Sequence, residues 1–236
     1  MQIVFDHQIF TMQEYGGISR YFVETAKGLV ACPDTQVTVS APVYVNNYLK
    51  ESALDIAVTG YSVKKFKGSG IALPPINFFI NKGLLKALSP DIVHETYYSF
   101  QRSAPKSAKV VLTVFDMIHE LFPTYFSQSD TTYKKKASAV ARADHIICIS
   151  CQTQNDLINL LKVDPAKTTV IHLGFALTCQ ETDKCSQDNR PPYLLYVGAR
   201  SGYKNFENFL KGVASSSFLR EELDVVCFGG NSFSSK

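Results

Sequence analysis

The sequence has no apolar run long enough to span a bilayer. Its first ten residues, MQIVFDHQIF, lack the basic region and the cleavage site of a secretory signal, so a cytoplasmic chain is expected. Charge of either sign is modest. Lysine and arginine total 24 against 21 acidic residues, a net charge of +3, too mild to argue for a nucleic-acid partner. No D-x-D carboxylate pair with a clear metal role is present, nor a G-x-G-x-x-G or Walker glycine pattern. Of six scattered cysteines, Cys148 and Cys151 form a C-x-x-C, but Cys179 and Cys185 have the wrong spacing to complete a zinc ribbon. Reduced thiols and no metal are therefore expected. Internal repeats and low-complexity tracts are also missing. What is present is 45% hydrophobic residues over 236 positions, enough for one large domain or one domain plus part of another.

The stretch from Tyr193 to Leu210, YLLYVGARSGYKNFENFL, organises the reading. Tyr193 to Val197 is a short run of strand-forming residues. Gly198 stops it, and Arg200 and Lys204 flank a second glycine, Gly202. Asn205 is placed to cap a helix with Phe206, Phe209, Leu210 and Val213 on one face. A strand, a glycine turn and a helix start present main-chain N–H groups and the positive end of a helix dipole. With an Arg and a Lys beside them, they suit a doubly charged group such as a diphosphate. An ordinary βα loop with solvated cations has the same shape.

The rest of the chain alternates strand and helix. Ile3 to Phe5 reads as a strand ending at Asp6 and His7, followed by a loop to Gly16-Gly17. A helix follows with Ile18, Tyr21, Phe22, Thr25, Ala26 and Leu29 at helical spacing. Strands are expected at Gln36–Ala41, Ile56–Val63, Asp91–His94, Val110–Val114, His145–Ile149 and Val170–Gly174. Lys64, Lys65 and Lys67 surround Phe66 ahead of Gly68-Ser69-Gly70, which reads as an exposed loop, solvated or touching an anionic membrane surface. Pro74-Pro75 is expected to open a helix whose apolar residues (Ile76, Phe79, Ile80, Leu84, Leu85, Leu88) face the core or, failing that, lipid. Ser129 to Ala143 reads as a helix with Lys134, Lys135, Lys136 and Arg142 on a solvated or membrane-near face. Ser150 caps the helix that runs to Leu161. His94, Asp116 and His119 fall at strand C-termini, where open α/β sheets bind ligands; a histidine there can equally be a hydrogen-bonded structural residue. The alternation predicts a doubly wound, mainly parallel α/β fold. Its expected divisions are an N-terminal domain over 1–177, a polar linker over 178–192, and the start of a second domain over 193–236.

Several segments, in order, resemble glycosyltransferase family four, retaining enzymes of the GT-B fold. The segment V-G-x-R followed by K-N and a Phe/Leu-rich helix is similar to the family's donor-diphosphate segment, which implies that Arg200 and Lys204 hold the diphosphate of a nucleotide sugar. EYGGISRYF is similar to the family's N-terminal glycine loop, which implies that the Gly16 and Gly17 backbone faces the transferred sugar and diphosphate. LTVFDMIHELFP is similar to its Thr-Val-His-Asp region, with Phe115 in place of the histidine, Asp116 matching, and His119 available for the polar contact. ADHIICIS and DPAKTTVIHLGF resemble the segments that close the family's N-terminal domain.

The resemblance implies transfer of a sugar from a nucleotide sugar to an acceptor hydroxyl with retained configuration, without metal or cofactor. Asp116, His119 and His94 are the candidate catalytic residues, and Gly16, Gly17, Arg200 and Lys204 the candidate donor-binding ones. The expected acceptor is a saccharide or a lipid-linked saccharide, and the expected place is the cytoplasm or the inner face of its membrane. The family's Glu-x7-Glu motif has no counterpart here; Glu221-Glu222 lack that spacing. Little transferase activity, and self-association or a mobile C-terminal fragment, are therefore expected of these 236 residues. A non-catalytic acceptor-binding or assembly module is the rival reading.

Overall fold

The structure is a computed structural model that describes residues 1–175, 191–200 and 202–229. It divides into two compact units, residues 1–121 with 128–174, and residues 122–127 with 175–236. Most of the linker expected over 178–192, together with Cys179 and Cys185, lies outside the described residues.

Seven parallel strands form the sheet of the first unit: β1 (Gln2–Phe5), β2 (Gln36–Tyr44), β3 (Ala57–Ser62), β4 (Ile92–Glu95), β5 (Lys109–Val114), β6 (His145–Cys148) and β7 (Thr168–Val170). Their order is β3-β2-β1-β4-β5-β6-β7. The sequence grows outward from β1 one way and from β4 the other, so the switch in direction falls between these two neighbours. The main helices are α1 (Gln8–Met12), α2 (Gly17–Val30), α3 (Asn47–Glu51), α4 (Ser69–Leu88), α5 (Ile118–Leu121), α6 (Thr132–Arg142) and α7 (Cys151–Leu161).

Successive residues of a strand point to opposite faces, and the core follows that period. Ile3, Phe5, Val37 and Val39 pack with Phe22, Val23 and Ala26 of α2. Val4, Val93 and Val110 pack with Leu85 of α4. Leu112, Val114, Ile146 and Cys148 pack with Ala139 and Val140 of α6 and Leu157 of α7. Helices thus cover both faces, as parallel sheets require.

The second unit holds β8 (Tyr193–Val197), α8 (Phe206–Ser215), α9 (Ser217–Glu222) and β9 (Asp224–Phe228), with β8 and β9 paired in parallel. Tyr196 packs on Phe206 and Phe209 of α8 at centroid distances of 4.7 and 5.4 Å.

Several expectations are corrected. α4 starts five residues before Pro74, at Ser69, with Gly68 in the left-handed region at φ 91° and its carbonyl accepting from the Ile71 and Ala72 amides. Gly68-Ser69-Gly70 is therefore a helix start rather than a flexible loop, and Pro74-Pro75 lie inside the helix. Its buried face is Ser69, Leu73, Asn77, Asn81 and Leu85, spaced by four, while Ile76, Phe79 and Ile80 are exposed. Ile76, Phe79 and Ile80 thus turn away from the core while Leu85 and Leu88 pack into it, because two asparagines dock the first half of the helix by hydrogen bonds. Asn77 Oδ1 accepts from Val43 N at 2.8 Å, and its Nδ2 donates to Val43 O at 2.7 Å and Thr11 Oγ1 at 2.9 Å. Ser40 Oγ donates to Asn81 Oδ1 at 2.5 Å. These bonds serve β2 where its register against β3 shifts, between Ser40 and Val43.

The solvated reading of α6 also fails for two of its cations. Lys136 is fully buried and Arg142 nearly so, each held by an acidic partner. The last strand is Thr168–Val170 rather than Val170–Gly174, because its partner β6 ends at Cys148 and only Ile171 N reaches the Cys148 carbonyl beyond it. Asn205 sits at φ 58° ahead of α8 with no side-chain capping bond.

Candidate functional site

The switch between β1 and β4 is fastened by Asp6. Its Oδ1 accepts from Thr96 N at 2.8 Å and Thr96 Oγ1 at 2.6 Å, and its Oδ2 from Gln8 Nε2 at 2.7 Å. Thr96 Oγ1 in turn accepts from Ile9 N at 3.1 Å. A buried carboxylate therefore ties the loop after β1 to the loop after β4. Next to it Glu95, fully buried, receives Arg142 in a two-pronged pair, Nε to Oε1 at 3.0 Å and Nη2 to Oε2 at 2.7 Å. Burial pushes the Glu95 carboxyl up to about 7, against the pull of Arg142. Arg142 also donates to the Ser99 carbonyl at 2.7 Å, which fixes the β4–β5 loop.

His94 is at the end of β4 and is buried. Its ring stacks on Phe5 at 5.2 Å and meets Phe22 edge-on at 5.2 Å, and its Nε2 pairs with Thr113 Oγ1 at 2.9 Å. Burial holds the imidazole well below its ordinary range, at about 3, so it is neutral. Of the two readings of His94, this geometry favours the hydrogen-bonded structural residue. Phe115 continues the same aromatic cluster, meeting Tyr21 at 5.4 Å and Phe22 at 6.0 Å. An aromatic side chain at that position fits a wall made of other rings.

Asp116 follows directly and its side chain is about half exposed. Its Oδ1 accepts from Ile118 N at 3.1 Å. The loop is held from beneath by Lys136, whose Nζ donates to the Asp116 carbonyl at 2.8 Å and to Glu120 Oε2 at 2.7 Å, 5.4 Å from the Tyr98 ring centroid. His119, one helical turn on, faces Asp130 with Nε2 3.6 Å from Oδ2.

Gly16 precedes α2 in an extended conformation (φ 174°). It is small for a packing reason: a Cβ there would collide with the Gln13 side chain, whose Oε1 accepts from Ser19 N at 3.3 Å. At Gly17 a Cβ would meet nothing within 4 Å, so the first turn of α2 is approachable there. Since α2 carries Tyr21 and Phe22 against Phe115 and His94, the structure brings Gly16-Gly17, His94 and the Phe115–Asp116 turn to one edge of the sheet.

Arg200 and Lys204 belong to the second unit and are described within it. The turn after β8 needs glycine: Gly198 has φ 132° and Gly202 φ 62°, both in the region that L side chains rarely adopt. The Tyr196 hydroxyl donates to Ala199 O at 2.9 Å and Lys204 O at 3.3 Å, pinning both ends of the turn. Arg200 Nη1 donates to the Gly229 carbonyl at 2.6 Å, and Lys204 Nζ lies 5.0 Å from the Tyr203 ring centroid. Two cations thus lie beyond the C-terminal end of β8.

A cavity of about 430 Å³ opens in the first unit between α1, α4 and the β4–β5 loop. Met12, Pro74, Phe78, Phe79, Tyr98 and Phe100 form most of its apolar wall. His7 also lines it; burial keeps its imidazole below the ordinary range. Neither the cavity nor the Asp6, Glu95–Arg142 and Lys136 clusters was foreseen from sequence. On α4 the spacing of four from Asn77 to Asn81 was a local signal of an inward face; Lys136 on α6 carried none.

Among the described residues, no group of three or more His, Cys, Asp or Glu is placed to hold a metal, and no helix is long and apolar enough to cross a membrane. Cys148 is a buried strand residue whose thiol burial pushes up to about 11, and Cys151 is exposed.

Comparison with known proteins places this edge in a family. The model of Glycosyltransferase Family 4 matches residues 15–178, and the chain belongs to that family. No curated protein matches in sequence. Among solved structures, Anabaena Alr3699/HepE in complex with UDP and glucose aligns at TM-score 0.62 and 17% identity, over 99% of this chain and 62% of that one. The apo form of the lipopolysaccharide outer core galactosyltransferase WaaB aligns at TM-score 0.58 and 14% identity, over 97% of this chain and 68% of that one. The S. aureus MnaA–UDP structure aligns at 0.57 and 12% identity, over 96% and 61%. The fold is of the GT-B type, and the chain spans roughly two thirds of the length of the structures it matches.

Proposed function

We propose that this chain is the acceptor-side domain, with the start of the donor-side domain, of a retaining glycosyltransferase. It moves a sugar from a nucleotide sugar to a hydroxyl of a glycan or lipid-linked saccharide, in polysaccharide biosynthesis. Family membership with the approachable glycine start of α2 carries this reading. Breaking the sugar–phosphate bond puts negative charge on the diphosphate. Helix-start amides, as at Gly17 in the first unit, and cations, as Arg200 and Lys204 in the second, are the kinds of group that stabilise such charge. In a front-face transfer the departing phosphate oxygen takes the acceptor proton while the acceptor oxygen bonds to the anomeric carbon from the same side. No enzymic nucleophile, metal or cofactor is then called for. Asp116, half exposed at the edge and fixed by Lys136, is the polar side chain proposed to meet the sugar, with His119 behind it. His94 acts from within, as the ring that keeps the aromatic wall in register.

A site at the inner face of the cytoplasmic membrane is part of the proposal. From Ala57 to Pro90 there are five lysines and no acidic residue, and α4 displays Ile71, Ile76, Phe79 and Ile80 outward. A basic helix with exposed apolar side chains suits an anionic lipid surface.

The test is a panel of nucleotide sugars with saccharide acceptors, read by proton NMR of the new linkage. Product of the donor's own anomeric configuration is expected. An inverted product would refute the mechanism, and donor turnover by no nucleotide sugar in the presence of the complete donor-side domain would leave the binding-module reading.

A further inference from the structure

We propose that the cavity between α1, α4 and the β4–β5 loop binds the alkyl chain of an anionic amphiphile, with its head group at Lys135. This rests on the acceptor side of the transferase reading and names the acceptor's class: a hydroxyl-bearing molecule with an apolar tail and a phosphate or carboxylate head.

Four observations converge. The volume, about 430 Å³, lies within the range of small-molecule sites, roughly 300–1,000 Å³, and Met12, Pro74, Phe78, Phe79 and Phe100 give it an apolar wall, with His7, Gln8, Thr11, Ser99, Gln101, Ser103 and Lys135 as its polar lining. Three large apolar side chains of that wall, Met12, Phe79 and Phe100, are 49%, 73% and 53% exposed. Apolar side chains left in water around one opening mark a surface that something apolar covers. The wall is also fixed rather than collapsible. Asn77 and Asn81 hold α4 to β2 by hydrogen bonds, and Arg142 holds the β4–β5 loop through Ser99, so the two sides cannot close on each other without breaking buried polar contacts. Finally, the charge is one-sided: Lys135 lines the opening and no acidic residue does.

His7 adds a polar point inside this wall. It is 5% exposed, and its Nδ1 has no hydrogen-bond partner among the described residues. A buried polar group without a partner is costly unless a ligand or water meets it. Because His7 directly follows Asp6 at the switch between β1 and β4, an oxygen near the head of the chain would lie on the same strand edge as the proposed transfer site.

Decyl phosphate is the probe, measured by calorimetry on the whole chain below its micelle concentration and without any sugar donor. One molecule per chain is expected, with octyl, nonyl and decyl phosphates tightening about fourfold per methylene. Gly70 lines the cavity and a Cβ there meets nothing within 4 Å, so Gly70→Phe fills the space without a clash in the helix; it is expected to weaken binding at least tenfold at unchanged Tm. Lys135→Glu is expected to reverse the preference, favouring decyltrimethylammonium over decyl phosphate. A second arm uses vesicles of phosphatidylglycerol: loss of vesicle binding in Gly70→Phe identifies a membrane lipid as the source of the chain, whereas retained vesicle binding with lost decyl phosphate binding identifies a monomeric amphiphile. Binding of decyl phosphate to neither wild type nor Lys135→Glu, or equal binding by wild type and folded Gly70→Phe, would overturn the proposal. Because no donor is present, amphiphile binding with no sugar transfer sinks the transferase reading alone, and transfer with no amphiphile binding sinks this inference alone.

Discussion

Replacing Lys136 by methionine separates the observed architecture from the pattern expected of a solvated helix. Lys136 stands third in a run of three lysines, and a surface reading gives all three the same small effect. The structure instead buries Lys136 completely, 2.7 Å from Glu120 Oε2 and 2.8 Å from the Asp116 carbonyl, while the Glu120 side chain is 9% exposed. Methionine keeps the volume but strands a carboxylate and a carbonyl out of water. Removing one partner of a buried pair costs about 3–5 kcal/mol. For a chain of this size that is a fall in Tm on the order of 10 °C. Lys134→Met, on the exposed side of the same helix, is expected to change stability by less than about 0.5 kcal/mol. The double variant Lys136→Met/Glu120→Leu removes the stranded charge and is expected to recover most of the loss, leaving about 1 kcal/mol for the Asp116 carbonyl. Urea unfolding followed by circular dichroism reads all three. A Lys136→Met variant within 1 kcal/mol of wild type, or no recovery in the double variant, would refute the buried pairing and with it the rigid Asp116 turn.

Three further outcomes follow from the same geometry. His94, held neutral to about pH 3 against an unfolded value of 6.5, contributes stability that is full above pH 6.5 and is lost as pH falls toward 3. Glu95, raised from 4.5 to about 7, works in the opposite sense, adding stability as pH falls from 7 to 4.5, so the two offset each other between pH 6.5 and 4.5. His94→Gln is therefore expected to lower stability at pH 7 but to flatten its decline below pH 4.5; an unchanged pH slope in chemical unfolding would contradict the buried, neutral ring. Asn77→Leu leaves both main-chain groups of Val43 unpaired and is expected to cost about 2–5 kcal/mol, although it adds an apolar residue to an apolar helix; a stabilised variant in the same assay would restore the core-facing reading of α4. Gly60→Ala is expected to be strongly destabilising, because Gly60 has φ 148° and a Cβ would collide with the Ala41 carbonyl at the β2–β3 irregularity; a normal melting curve would count against that geometry.

Strands and helix starts were legible where one signal ruled. Val110 to Val114 and Tyr193 to Val197 are short apolar runs, and Gly16-Gly17 announces the start of α2. What stayed hidden were polar side chains doing interior work. Asn77 and Asn81 repeat at helical spacing with Leu73 and Leu85, yet a hydropathy pattern assigns asparagine outward and so misses that buried stripe. Lys136 and Arg142 look like neighbours of surface cations; their partners Glu120 and Glu95 lie 16 and 47 residues away, beyond any local motif. α1, at five residues, is shorter than any periodicity can register. Of the candidate site, Gly16-Gly17, Asp116 and the Arg200 turn were visible as motif residues. The burial of His94 in an aromatic cluster is a tertiary fact that its position at a strand end does not reveal.

The proposed function depends on binding of a nucleotide sugar's diphosphate by this chain, which calorimetric titration with a panel of nucleotide sugars and nucleoside diphosphates measures. At least one nucleotide sugar is expected to bind, its nucleoside diphosphate to compete, and Arg200→Ala and Lys204→Ala each to weaken binding about tenfold or more while leaving the fold intact, as for loss of a charge-assisted contact. Binding that both substitutions leave unchanged, or no binding of any nucleotide sugar by the folded chain, would contradict it.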